Sequence, residues 1–298
     1  MDQELKNQEL ERFAIPDAVR FEAGNGSLTR AVLSTPQSSA HVYLHGAHIT
    51  HFQSRDQKPL LFLSDNSAWN EQKAIRGGVP IIFPWFGPNA RNADLPAHGF
   101  ARVNTWQVES TQRDDGITTL VLSLEPNETS RALWPHQWLL HLTIQVGSAL
   151  EMKLEVRNEG DVPFRYEEAL HTYLAVSDVR KIQIEGLNQT RYIDKMDGAK
   201  HKIERAESIR IIAETDRVYL DTQATCIMRD ANRRIAVEKS GSDSTVVWNP
   251  WVEKARALND LGDDEWPRFV CVESGAIGEN ARTLNAGESH VLTLRLAA

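Results

Sequence analysis

A two-residue alternation constrains this chain more than any other feature. Leu140, Leu142, Ile144 and Val146 alternate with His141, Thr143 and Gln145; after Gly147-Ser148 the pattern resumes with Leu150, Met152, Leu154 and Val156 against Glu151, Lys153, Glu155 and Arg157. Alternate side chains of a strand point to opposite faces, so each half has one apolar and one polar face, and residues 138–158 are expected to form a hairpin. The helical period of 3.6 would scatter the same leucines around a cylinder. Leu120, Leu122 and Leu124 after Asp115-Gly116, and Leu292, Leu294 and Leu296 near the end, repeat the pattern. Turn signals recur about every ten residues, the spacing of a large antiparallel sandwich or barrel.

The 298 residues are 41% apolar, enough for a sizeable core, and no Pro/Gly/Ser linker, low-complexity tract or repeat divides them. One domain over 1–298 is expected, with 1–15 as an N-terminal extension or short helix; residues 2–12 suit a surface helix before Pro16. A second short helix is expected late: Asn249 caps, Pro250 takes the first position, Trp251, Ala255, Leu258 and Leu261 follow helical spacing, and Gly262 stops it. Inserted between strands, it would cover the end of a sandwich and wall a site.

A net charge of -8 argues against a general nucleic-acid surface, although a local basic pocket remains allowed. Cys226 and Cys271 lie far apart with no C-x-x-C spacing, so neither a zinc ribbon nor a disulfide framework is indicated. The charged N-terminus does not resemble a signal peptide, and no apolar run approaches a membrane span. A soluble cytoplasmic protein with no membrane or nucleic-acid partner is the expectation, and a monomer.

The densest irregular stretch is Ala74–Pro88, with three glycines and three prolines in fifteen residues around Arg76, Phe83, Trp85 and Phe86. Glycine permits positive φ and close backbone approach, whereas proline fixes φ and removes a donor, so neither a helix nor a central strand runs through it. It is either a structural crossover with a buried aromatic plug or the builder of a site.

Several side chains have the chemistry for a site. His45, His48 and His51 suggest a metal, but residues three apart on a strand face opposite sides and Gly46 disturbs the run, so satisfied or solvent-facing histidines are favoured. From Arg165 to Tyr173 the odd positions Arg165, Glu167, Ala169, His171 and Tyr173 share a face, which is either the floor of a polar groove or an ordinary solvated surface. Glu273 shares a face with the apolar Phe269 and Cys271. A carboxylate there needs a partner or a cleft, and burial would raise its pKa toward that of a general base working near neutrality; a salt-bridged structural Glu is the alternative. Asp216 fits a turn or an ion pair with Arg217. His171 and Glu273 would supply one acid and one base to a polyhydroxylated substrate, and Trp85, Trp248 or Trp251 could stack on sugar faces or belong to the core.

Taken together, Ile75-Arg76-Gly77-Gly78-Val79-Pro80, Pro84-Trp85-Phe86-Gly87, His98-Gly99-Phe100-Ala101-Arg102, Ala169-Leu170-His171-Thr172-Tyr173, Tyr192-Ile193-Asp194-Lys195, Glu214-Thr215-Asp216, Trp248-Asn249-Pro250-Trp251 and Val272-Glu273-Ser274-Gly275 resemble the hexose-6-phosphate mutarotases, the glucose-6-phosphate 1-epimerase branch of the aldose 1-epimerase superfamily. The matches are ordered and span most of the chain, though residues 178–213 match only at Tyr192–Lys195. The resemblance implies an all-β fold, an antiparallel β-supersandwich of the galactose-mutarotase type with a few short helices, and cofactor-free, metal-free interconversion of sugar-phosphate anomers, most readily of glucose 6-phosphate. It implies His171 as general acid toward the ring oxygen and Glu273 as general base on the anomeric hydroxyl. His98 and Asp216 would orient the sugar, and Arg76 and Arg102 would hold the phosphate through planar guanidinium donors. Arg91 and Lys73 flank the motif as further cations. Two rivals share this ground: a non-catalytic sugar or sugar-phosphate binding protein on the same fold, and a glycoside hydrolase or lyase using Asp216 and Glu273 as paired carboxylates.

Overall fold

A computed structural model describes residues 9–89, 92 and 95–298. The hairpin expected over 138–158 is present. Strand Trp138–Val146 pairs antiparallel with Leu150–Asn158, from Trp138 opposite Asn158 to Val146 opposite Leu150. All eight of its alternating apolar residues are fully buried. The polar partners face outward, so the alternation describes one face on the core and one toward solvent.

The hairpin sits within a sheet of nine strands, whose order runs Ser208–Ile209, Gln183–Glu185, Cys226–Asp230, Arg233–Ser240, Ser289–Ala297, Leu150–Asn158, Trp138–Val146, Ile117–Leu124, Gln107–Asp114. A second sheet of eight strands orders Lys200–Ile203, Arg191–Asp194, Thr215–Leu220, Ser244–Asn249, Phe269–Ala276, Glu168–Leu170 and Ile81–Ile82, with Tyr173–Ala175 also pairing Phe269–Ala276. Strands Val19–Ala23, Thr29–Ser34, Ser38–Tyr43 and His48–Ser54 form a four-stranded meander, and Phe164–Tyr166 pairs Arg282–Leu284. All these pairings are antiparallel, and the sheets feed one continuous core from Ala18 to Leu296. This is the all-β, antiparallel supersandwich expected from the sequence.

Of the helix expected over 2–12, residues 9–12 fall among the described residues; Glu9–Glu11 are helical and Arg12 is in a turn. The late helix is shorter than expected, Trp251–Arg256. Asn249 ends the strand before it: its Oδ1 accepts the Trp251 N–H at 2.9 Å while its amide donates to the Trp266 and Phe269 carbonyls. Gly262 donates its N–H to Glu265 at 2.8 Å, so it belongs to a later turn rather than the helix end. No helix among the described residues is long and apolar enough to cross a membrane.

The segment 164–175 departs from one continuous strand. It breaks into Phe164–Tyr166, Glu168–Leu170 and Tyr173–Ala175. Glu167 turns away to accept the Phe86 and Gly278 N–H groups at 2.8 and 2.7 Å, Ala169 is buried in the core, and Arg165 donates to the Gly278 carbonyl. Only His171 and Tyr173 of the expected polar face remain together, stacked at 4.9 Å.

Candidate active site

The Ala74–Pro88 stretch combines both roles its sequence allowed. Phe83 is fully buried among Phe100, Trp134, Trp138 and Tyr166, an aromatic plug in the core. The polar groups on either side of it reach a cleft. Pro80 and Gly78 carbonyls accept the N–H groups of His171 and Tyr173 at 3.0 and 2.9 Å, and the Phe83 carbonyl accepts the Phe100 N–H at 3.0 Å. The stretch therefore sets the positions of His98 and His171 together. Gly99 makes the approach possible: its φ is +70°, and a Cβ there would stand 1.9 Å from the Phe83 carbonyl oxygen. Gly77 and Gly78 serve differently from the ligand approach that such residues suggest. The backbones of Phe62 and Ile49 occupy the space a side chain would need, so these glycines pack chain against chain.

The cleft encloses about 310 Å³ and is lined by Arg76, Phe86, His98, Arg102, His171, Lys195, Asp216, Trp248, Lys254 and Glu273, among others. It is at the small end of the range for small-molecule sites. The eight-stranded sheet supplies its floor. Glu273 projects from the middle of the Phe269–Ala276 strand and is only 1% exposed. His171 approaches it from the break after Glu168–Leu170, with Nε2 at 3.3 Å from Glu273 Oε1. His171 Nδ1 and Glu273 Oε2 are buried without hydrogen-bond partners.

Their electrostatics pull in opposite directions. Burial, then the negative charge of Asp216, push the Glu273 carboxyl well above the usual range despite Lys195 and Arg102. Burial, then His98, Arg102 and Arg76, hold His171 well below the usual histidine value, rather than near it as a solvent-exposed donor would be. The two shifts favour the uncharged form of both groups, neutral imidazole and neutral carboxyl.

Asp216 lies within the Thr215–Leu220 strand and not in a turn. Its neighbour Arg217 pairs with Glu204 at 3.2 Å, while Asp216 itself meets Lys195 at 3.5 Å. His98 adopts φ +65°, accepts the Gly87 N–H on Nδ1 at 3.2 Å, and stands edge-on to Phe86 and His171. Burial, then Arg102, Lys195 and Arg76, keep it neutral.

Arg76 and Arg102 both reach the cleft. Arg76 donates to the Tyr173 hydroxyl at 2.9 Å and to Asp260 at 3.0 Å, leaving Nε unpaired. Arg102 donates to the Ala97 carbonyl, and burial followed by Arg76 lowers its pKa to about 10. Two cations crowded this way favour an anion between them.

Lys195 and Lys254 complete the basic wall, and Lys195 also lies over the Phe86 ring at 4.7 Å. Lys195 stood in a recognised motif without a role, and nothing marked Lys254 beyond its helix. Lys73 does not line the cleft; Arg91 lies outside the described residues. Trp248 and Phe86 wall the cleft, whereas Trp85 donates to the Pro96 carbonyl and packs on Phe100, and Trp251 packs on Trp266.

The three early histidines are engaged elsewhere. His45 and His48 bond the Lys73 and Gly77 carbonyls, and His51 lies tilted against His41 with ring centroids 4.8 Å apart.

The relatives of this antiparallel supersandwich, with its buried carboxyl–imidazole pair under a basic rim, place it in a class of sugar-isomerising enzymes. The aldose 1-epimerase family model matches residues 30–297, and the chain belongs to that family. It is 36% identical over 263 residues to an Escherichia coli K12 protein provisionally named glucose-6-phosphate 1-epimerase, with 87% of each chain covered. A Cenchrus ciliaris protein with the same provisional name is 34% identical, covering 84% of this chain and 78% of that one. A Salmonella typhimurium crystal structure provisionally described as a mutarotase superposes with a TM-score of 0.86 at 30% identity, covering 97% of this chain and 98% of that one.

Proposed function

We propose that the enzyme interconverts the α and β anomers of a hexose 6-phosphate, glucose 6-phosphate first among them, by general acid–base ring opening and closing. The observation that carries this is the buried His171–Glu273 pair at 3.3 Å beneath a rim of Arg76, Arg102 and Lys195.

Ring opening requires a proton to leave the C1 hydroxyl while one reaches the ring oxygen. Glu273 takes the first and His171 gives the second. The C1–C2 bond then rotates, and closure on the other carbonyl face reverses both transfers, so the enzyme returns to its starting protonation. Neither a nucleophile nor a redox group takes part.

The phosphate would settle between Arg76 and Arg102. Its negative charge offsets one of the influences that keep His171 neutral, moving a proton onto the imidazole, where the ring oxygen needs it. Asp216 and His98 orient hydroxyls, and Trp248 and Phe86 offer apolar faces to the ring. The free buried cysteines suit a reducing cytoplasm.

Saturation-transfer NMR tests the proposal. Exchange between glucose 6-phosphate anomers should rise far above the buffer rate, and much less for unphosphorylated glucose or galactose. No acceleration for any aldose phosphate overturns it; tight sugar-phosphate binding without acceleration would instead favour a binding protein.

A further inference from the structure

We propose that His171, Cys271 and Glu273 form a site for a thiophilic divalent cation of the Zn2+ type, which enters the cleft floor in place of the sugar and blocks proton transfer. The blocking effect rests on the acid–base reading above; the binding site does not.

Cys271 and Glu273 are two residues apart on the Phe269–Ala276 strand and share its cleft face. Across the sheet, Cys271 is in register with Trp248 on one side and Tyr173 on the other. His171 stacks on that tyrosine and stands edge-on to that tryptophan. The thiol therefore lies beneath the imidazole. One donor atom from each of the three side chains lies within 4.8 Å of the others.

Nitrogen, sulfur and carboxylate oxygen are the donor set of Zn2+, whereas Mg2+ and Ca2+ seek six or more oxygens. With bonds of about 2.0 Å to nitrogen and oxygen and about 2.3 Å to sulfur, tetrahedral ligand atoms stand roughly 3.3–3.8 Å apart. The His171–Glu273 pair is already at 3.3 Å, so side-chain shifts of about 1 Å close the set. The open cleft above leaves room for water as a fourth ligand.

The free site also has unmet capacity. Glu273 Oε2 and His171 Nδ1 have no hydrogen-bond partner, and Cys271 is a free thiol. Thiol and carboxyl would each release a proton to solvent, so thiolate and carboxylate together balance the two positive charges and no electron moves. Asp216 adds negative charge nearby and Arg102 and Lys195 oppose it, which favours a cation held by covalent-like thiolate bonding over a purely ionic one.

The test uses the whole enzyme freed of metal with EDTA. Co2+ alone is added first, as a coloured stand-in for Zn2+. We expect one equivalent to produce a thiolate-to-cobalt charge-transfer band, bleached by Zn2+ and by saturating glucose 6-phosphate. Zn2+ should suppress anomer exchange, with EDTA restoring it. Cys271→Ala should keep basal activity, lose the band, and need about 100-fold or more Zn2+ for the same suppression, since loss of a ligand costs more than the roughly 10–100-fold of an outer-shell change. Cys271→Ser guards against a cavity effect of the alanine. Absence of the cobalt band in wild type, or Zn2+ sensitivity unchanged from wild type in both variants, overturns the site. A band that leaves anomer exchange untouched supports the site and counts against His171 and Glu273 as the acid–base pair.

Discussion

His171 and Glu273 meet at 3.3 Å although 102 positions separate them (273 minus 171), and each has one buried polar atom with no partner. Each therefore keeps hydrogen-bonding capacity that the pairing itself does not use.

The first prediction concerns that carboxyl. Glu273→Gln keeps shape but cannot accept a proton, so anomer exchange should fall about 10²–10⁴-fold. The fold should persist. Burial raises the Glu273 pKa, so the folded state resists its ionisation and the wild type loses that contribution as pH rises. The variant's urea midpoint relative to wild type should therefore climb with pH above about 4.3. Full activity in the variant, read by saturation transfer, would remove Glu273 from the chemistry.

Arg76→Ala should raise KM for glucose 6-phosphate by about 10–100-fold, the value of a charge-assisted hydrogen bond of about 1.5–3 kcal/mol. Exchange of unphosphorylated glucose should change little. Parallel kinetics on both sugars decide it; an equal loss on both would take Arg76 out of the phosphate site.

Acid should destabilise the protein through histidines it keeps neutral. Burial lowers His48 to about 3, and burial with the neighbouring His51 and Arg30 lowers His41 to about 4. The unfolded chain binds these protons near 6.5, so between about 6.5 and those values it holds more protons than the folded state, and stability falls as pH drops. Urea titrations at pH 7, 5.5 and 4 should show a descending midpoint. A flat profile would mean that buried carboxyl groups with raised pKa offset the histidines, and a rising one that they outweigh them.

Gly99→Ala should be severe. Its positive φ and the 1.9 Å approach of the Phe83 oxygen leave no room for a methyl group, and relief would move the backbone that carries His98. A loss of more than about 1–3 kcal/mol is expected from chemical denaturation, with activity falling at the same time. A wild-type midpoint would show that the crossover tolerates displacement.

Strand content was legible because alternation is a local property: Leu140 to Val156 and Leu292 to Leu296 declare their buried face within a few residues. The Asn249 side chain does accept the Trp251 N–H, but the cap position falls on Pro250 and the helix starts one residue later than expected; its length was not legible either, because Glu265 rather than helical periodicity claims Gly262. The site residues were visible chiefly as ordered motifs. Their sequence neighbours misled: Arg217 beside Asp216 pairs elsewhere, and Glu167 beside His171 caps a loop.

The sequence alone thus determined an all-β chain, and it offered a glycine- and proline-rich stretch that could be an aromatic plug or a site, with a histidine and a carboxylate that could be structural or suited to proton transfer. Only the tertiary structure decided which of those groups meet. Register across the eight-stranded sheet sets Glu273 beside Val246 and Asp216 beside Trp248, and the break after Leu170 swings His171 over them. Burial at that meeting point then lowers the pKa of the imidazole and raises that of the carboxyl. Such effects depend on neighbours remote in sequence, and no local pattern can encode their distance or the dielectric around them.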